Sequence, residues 1–138
     1  MFRRFSTNFA IFSIGVDACL TFLALCLAVV VRPFLPRFPY LVPVDQITLS
    51  QTLYIIIPTV WVLTFLLSSV YDPKRIYKVT DEVQTIVIAE AIAALVCAGI
   101  LYLGFREFSR WLFATFVFFN TVFILGWRVL LRVSFRLW

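Results

Sequence analysis

Four long apolar runs alternate with short polar segments along this chain, at about residues 9–31, 51–71, 83–105 and 111–131. As helices rising about 1.5 Å per residue, runs of roughly 20 residues are long enough to cross about 30 Å of hydrocarbon. The pattern predicts an all-α membrane protein, with four transmembrane helices in an antiparallel bundle forming a single membrane domain over residues 1–138. The first run is too long for the core of a signal peptide, and no small-residue cleavage site follows it. Pro58 falls inside the second run, where neighbouring helices can satisfy the carbonyl that a proline frees.

Composition removes the soluble alternatives. Hydrophobic residues make up 63% of the chain and charged residues 14%, and the mean hydropathy is +1.02. A water-soluble domain needs more polar surface than this. The net charge of +5 is therefore read as topology and contact with anionic headgroups, not as binding of nucleic acid. Arg3, Arg4, Lys74, Arg75, Lys78, Arg128, Arg132 and Arg136 fall on one side of the predicted spans, and Arg32, Arg37, Arg106 and Arg110 on the other. The richer side is expected to be cytoplasmic, together with both termini and the loop 72–82.

The external loop 32–50 carries Pro33, Pro36, Pro39 and Pro43, three of them spaced by three, the repeat of a polyproline II helix. An extended segment along the interface is expected there, with Phe34, Phe38 and Tyr40 at headgroup level. In the cytoplasmic loop, Asp81 followed by Gln84 has the spacing of a capping box at the start of the third helix. The small-residue pairs Ala24/Ala28, Ala89/Ala93 and Ala94/Ala98 permit close backbone approach, which suggests that the third helix is central. Cys19, Cys26 and Cys97 lie in apolar runs. With no histidine in the chain, they read as small packing residues and not as metal ligands.

Candidate chemistry is confined to a few polar residues. Asp17 and Glu90 lie inside apolar runs at similar predicted depth, and Arg128 returns to that level from the fourth run. An intramembrane polar cluster of Asp17, Glu90 and Arg128 is therefore expected. The alternative is a proton-coupled carboxylate, as in small four-helix exporters, although those have short loops throughout. Lys74, Arg75, Lys78, Arg128, Arg132 and Arg136 are the candidate contacts to phosphate or lipid headgroups, the last three recurring every four residues. There is no glycine-rich phosphate loop and no nucleophile elbow, so no catalytic, cofactor-binding or metal-binding residues are assigned.

The order of these features resembles one family. The stretch YDPKR with Asp81-Glu82 before the third run, REFSR before the fourth and WRVLLR at its exit are similar to the N-terminal membrane region of bacterial polyprenyl-phosphate sugar-1-phosphate transferases of the large, exopolysaccharide-initiating type. The likeness covers nearly the whole chain. It implies a multi-pass protein of the bacterial cytoplasmic membrane that anchors, and as a homo-oligomer assembles, an enzyme starting exopolysaccharide or O-antigen synthesis on undecaprenyl phosphate. The expected partners are the bilayer, its anionic headgroups and a downstream cytoplasmic catalytic domain or separate enzyme chain. Mg²⁺ is expected only in that catalytic domain, so no cofactor is assigned to this chain. Asp81-Glu82 lacks the family's catalytic context, and no catalytic residue is carried over. The chain is expected to be either a fragment of such an enzyme or a free-standing membrane part. The membrane region of a nucleotide-sugar 4,6-dehydratase and a stand-alone four-helix scaffold remain the competing readings.

Overall fold

The computed structural model describes residues 2–35, 48–71, 79–105 and 108–137, and everything structural below concerns those residues. They form four helices, α1 (Phe2–Val31), α2 (Leu53–Leu67), α3 (Val79–Gly104) and α4 (Arg110–Leu137), with a short 3₁₀ turn at Arg32–Phe34 and no strand. Helices α1, α3 and α4 are long and apolar enough to cross a membrane, over Ala10–Phe34, Thr80–Gly104 and Arg110–Leu131; α2 is shorter. Large apolar side chains such as Ile11, Leu95, Leu103 and Phe118 point outward. Outside and inside are both greasy, as a multi-pass membrane protein requires.

The inward faces follow directly from helical periodicity. In α4 the buried residues are Leu112, Phe116, Asn120, Ile124 and Arg128, one every four positions. In α3 they are Glu82, Ile86, Ala89, Glu90, Ala93, Cys97 and Leu101, and in α2 Leu53, Ile57, Trp61, Thr64 and Phe65. Residues spaced three and four apart share one side of a helix, so each helix turns a single stripe to its neighbours. Trp61 and Phe116 meet edge-to-face with ring centroids 5.0 Å apart, a geometry worth about 0.5–1.5 kcal/mol beyond area burial.

Neighbouring helices run antiparallel. Phe22 of α1 meets Tyr54 at the start of α2, while Asp17 meets Tyr71 just past its end. Glu90 and Glu82 of α3 meet Asn120 and Arg128 of α4 in reversed order. Helix α1, not α3, is central: it packs most extensively on α4 and also on α2, whereas α3 touches α4 more sparingly. Ala24 and Ala28 are fully buried in that seam, as are Ala89 and Ala93 between α3 and its neighbours, but Ala94 and Ala98 are only half-buried. Two of the three small-residue pairs therefore mark close contacts.

Helix ends depart from the apolar runs. Helix α3 begins at Val79, so Asp81 is its third residue and not its cap; Asp81 and Glu82 instead occupy the first turn, where the helix dipole favours negative charge. Helix α2 stops at Leu67 because the chain turns back on itself. Ser69 adopts φ 56°, its N–H donates to the Leu66 carbonyl and the Val70 N–H donates to that of Phe65. This is a Schellman turn, with the usual apolar contact supplied by buried Val70 and Phe65. The segment after α1 opens with the 3₁₀ turn around Pro33, not an extended segment, and Arg32 is buried there. Phe34 is exposed; Pro36, Arg37, Phe38, Pro39, Tyr40 and Pro43 lie outside the described residues.

Candidate functional site

The buried polar residues separate into two clusters at different depths. The first brings together all four helical segments at the end where α4 leaves the apolar layer. Helix α1 turns Ser13, Asp17 and Thr21 inward at four-residue spacing, and Thr21 Oγ1 donates to the Asp17 carbonyl at 2.8 Å. The Schellman turn lifts Tyr71 back toward the bundle, where its hydroxyl donates to Asp17 Oδ2 at 2.8 Å. Arg128 Nη2 donates to the same oxygen at 2.9 Å. Its Nη1 lies 3.5 Å from Glu82 Oε1, and its Cζ sits 5.5 Å from the Tyr71 ring centroid.

Arg128 is thus held by one close carboxylate, a second looser one and an aromatic face. Asp17 is 1% exposed and Arg128 9%, so the Coulomb attraction acts with little screening while both charges have lost hydration. Charge-assisted hydrogen bonds at these lengths are the strong kind. Asp17 Oδ1 and Arg128 Nε make no hydrogen bond among the described residues.

The second cluster lies deeper. Glu90 follows Val79 by eleven residues, about 16 Å along the helix, close to the middle of the apolar stretch Thr80–Gly104. Asn120 Nδ2 donates to Glu90 Oε1 at 3.1 Å and lies 3.4 Å from Oε2. Thr121 Oγ1 is 3.5 Å from Oε2 and donates to the Val117 carbonyl at 2.9 Å. The Trp61 indole is turned toward the same carboxyl, and its Nε1 meets no acceptor at hydrogen-bond geometry among the described residues. Three helices, α2, α3 and α4, therefore converge on one buried acid.

Of the polar residues singled out in the sequence, the structure joins Asp17 to Arg128 and leaves Glu90 apart. The expected equal depth is not found: Asp17 meets Arg128 while Glu90 meets Asn120, positions eight residues apart on α4, which is about 12 Å along the helix. Arg128, expected both in the buried polar cluster and at the headgroups, lies in the cluster. It continues the buried stripe of α4, one step past Ile124, and its guanidinium faces the bundle. Arg132 and Arg136 belong to α4, but their side chains lie outside the described set, as do Lys74, Arg75 and Lys78 entirely. Among the described residues no group of three His, Cys, Asp or Glu side chains is placed to hold a metal ion.

Tyr71, Glu82, Asn120, Thr121 and Trp61 complete the clusters without having been singled out for them. Asn120 carried the clearest signal, as a lone amide at the middle of an apolar run. Glu82 shares a helical face with Ile86 and Glu90, a periodicity that points inward as readily as its position points to a helix start. Fold and clusters together point to a helical multi-pass membrane protein whose apolar interior holds two buried polar clusters. Compared with protein families, curated proteins and solved structures, the chain matches no family model, no curated protein and no solved structure.

Proposed function

We propose that this chain is the membrane-anchoring and oligomerisation module of a polyprenyl-phosphate sugar-1-phosphate transferase, one that starts exopolysaccharide or O-antigen assembly on undecaprenyl phosphate. In this reading both termini and the loop 72–82 face the bacterial cytoplasm, and the chemistry belongs to a cytoplasmic catalytic domain or partner chain. The resemblance of YDPKR, REFSR and WRVLLR to that family supplies the enzyme class. The observation that supports an anchor is the Asp17–Arg128–Glu82–Tyr71 cluster, which ties α1, the end of α2, α3 and α4 together at one end of the bundle. Helix α4 continues past its apolar stretch, which ends at Leu131, as far as Leu137. A domain attached there would inherit a fixed position from four helices instead of swinging on one.

Two measurements test this. Single cysteines at Lys74 and Ser134, in a background lacking Cys19, Cys26 and Cys97, are expected to react with membrane-impermeant maleimide only after the cytoplasmic face is opened. Labelling of Lys74→Cys in intact cells refutes the topology. The reading frame beyond Trp138 tests the enzyme class. A transferase catalytic domain supports it, whereas a dinucleotide-binding fingerprint or an unrelated domain overturns it.

A further inference from the structure

Among the described residues no cation touches Glu90. Its described partners are the neutral amide of Asn120 and the neutral hydroxyl of Thr121. The charged and titratable groups on the elements packed around α3 are occupied elsewhere. Arg128 of α4 is bonded to Asp17 of α1 and paired with Glu82 on α3 itself, and Tyr71 beyond α2 is bonded to Asp17. Within its helical length α2 contributes only Tyr54, at the opposite end near Phe22, and Cys97 lies seven residues further along α3. A bare carboxylate at the middle of an apolar span, 4% exposed, without a cation, is among the most unfavourable arrangements in a membrane protein.

The hydrogen-bond lengths leave room for a proton on this carboxyl. A threonine hydroxyl carries one hydrogen, and that of Thr121 is used by the Val117 carbonyl at 2.9 Å, well inside its 3.5 Å separation from Glu90 Oε2. At 3.5 Å the Thr121 Oγ1–Glu90 Oε2 contact is too long for a firm hydrogen bond, so Oε2 receives no strong donation from Thr121. Oε1 receives the shorter bond from Asn120 Nδ2, at 3.1 Å against 3.4 Å to Oε2, so Oε2 is the less well-solvated oxygen and the one with room for a proton. A proton on Oε2 would face Thr121 Oγ1, whose own hydrogen goes to the Val117 carbonyl and whose lone pairs can accept.

We propose that Glu90 is an intramembrane proton-binding site, which holds its proton on Oε2 in the packed bundle and gives it up only as α2, α3 and α4 separate. The ligand is the proton itself, and its cradle is Asn120, Thr121 and the indole edge of Trp61. The bundle is thereby sensitive to pH at its centre, whether or not it anchors an enzyme. Glu90 is neutral when the helices are packed, and alkaline conditions that remove the proton loosen them.

Infrared spectra of the full chain in lipid bilayers read this directly. In neutral buffer the wild type is expected to show a protonated-carboxyl band that shifts when glutamate alone is ¹³C-labelled. The band should persist in Glu82→Gln and disappear in Glu90→Gln. The labelled wild type needs no substitution, so a folding defect in the glutamine variant does not obscure the answer. Absence of a glutamate band in the wild type overturns the proposal, and so does its retention in Glu90→Gln. In the second arm, raising the pH should lower the resistance of the wild type to detergent unfolding and leave Glu90→Gln unaffected. Parallel pH profiles for the two proteins would overturn the coupling to packing.

Discussion

Replacing Arg128 with methionine tests how the bundle is held together. Methionine keeps most of the stem volume and removes the guanidinium, leaving Asp17 with the Tyr71 hydroxyl as its one remaining side-chain donor among the described residues. Removing one partner of a buried ion pair costs about 3–5 kcal/mol, most of it the penalty of the charge left behind. Neutral hydrogen bonds between membrane helices average only about 0.6 kcal/mol, so the two accounts of this contact differ several-fold. Asp17→Asn is expected to be milder, about 1–2 kcal/mol, because the amide oxygen still accepts from Tyr71 and Arg128 keeps Glu82 nearby. The double variant should cost less than the sum of the two singles by more than about 1 kcal/mol, since neither charge is then stranded by the other's loss. The assay is unfolding from mixed micelles by titration with sodium dodecyl sulfate, followed by helical circular dichroism. Additive single costs, or an Arg128→Met cost below about 0.6 kcal/mol, would refute the ion pair as the link between α1 and α4.

Two further substitutions probe the packing. Ser69→Gly relieves a left-handed residue in the Schellman turn and should raise stability by about 0.5–1 kcal/mol, read as a later midpoint in the same titration; an unchanged or earlier midpoint contradicts the strain. Ala28→Leu forces an isobutyl group into the fully buried face of α1 and should cost about 1–3 kcal/mol, whereas Ala98→Leu at a half-buried position should stay within about 0.5 kcal/mol. Equal costs would contradict the central place of α1.

How much of this was legible in the sequence depended on which physical signal each feature leaves. Three helices long enough to span a membrane follow from run length alone, because lipid admits no other use of so many consecutive apolar residues. Their ends do not follow from hydropathy. The first turn of α3 is polar, since Thr80, Asp81 and Glu82 suit a helix start, and so it lies outside the apolar run while belonging to the helix. The end of α2 was hidden for the opposite reason: Ser69, Val70 and Tyr71 look like a continuation, but a serine in a left-handed conformation breaks the helix there. Arg128 shows how a correct periodicity can be attached to the wrong face. Its four-residue spacing with Arg132 and Arg136 reads as a basic stripe, yet the same spacing runs backward through Ile124, Asn120, Phe116 and Leu112, all buried. The longer stripe decides which way Arg128 points.

The early stop of α2 and the two depths of the polar clusters belong to one arrangement. Fifteen residues of α2 span about 22 Å, short of the hydrocarbon thickness, and the turn at Ser69 brings the chain back against α1. That places Tyr71 beside Asp17, seven residues into the apolar stretch of α1, about 10 Å along the helix. A charged pair is tolerable at this level, where water and headgroups are within reach of the flanking turns. At the middle of the bundle no such relief exists, and there the neighbours of the acid are an amide, a hydroxyl and an indole. Charge sits where α2 gives way and neutral groups where it packs against Phe116. A longer α2 would carry Tyr71 away from Asp17 and leave Arg128 to compensate that carboxylate alone, so the turn at Ser69 governs the polar core as much as the side chains in it do.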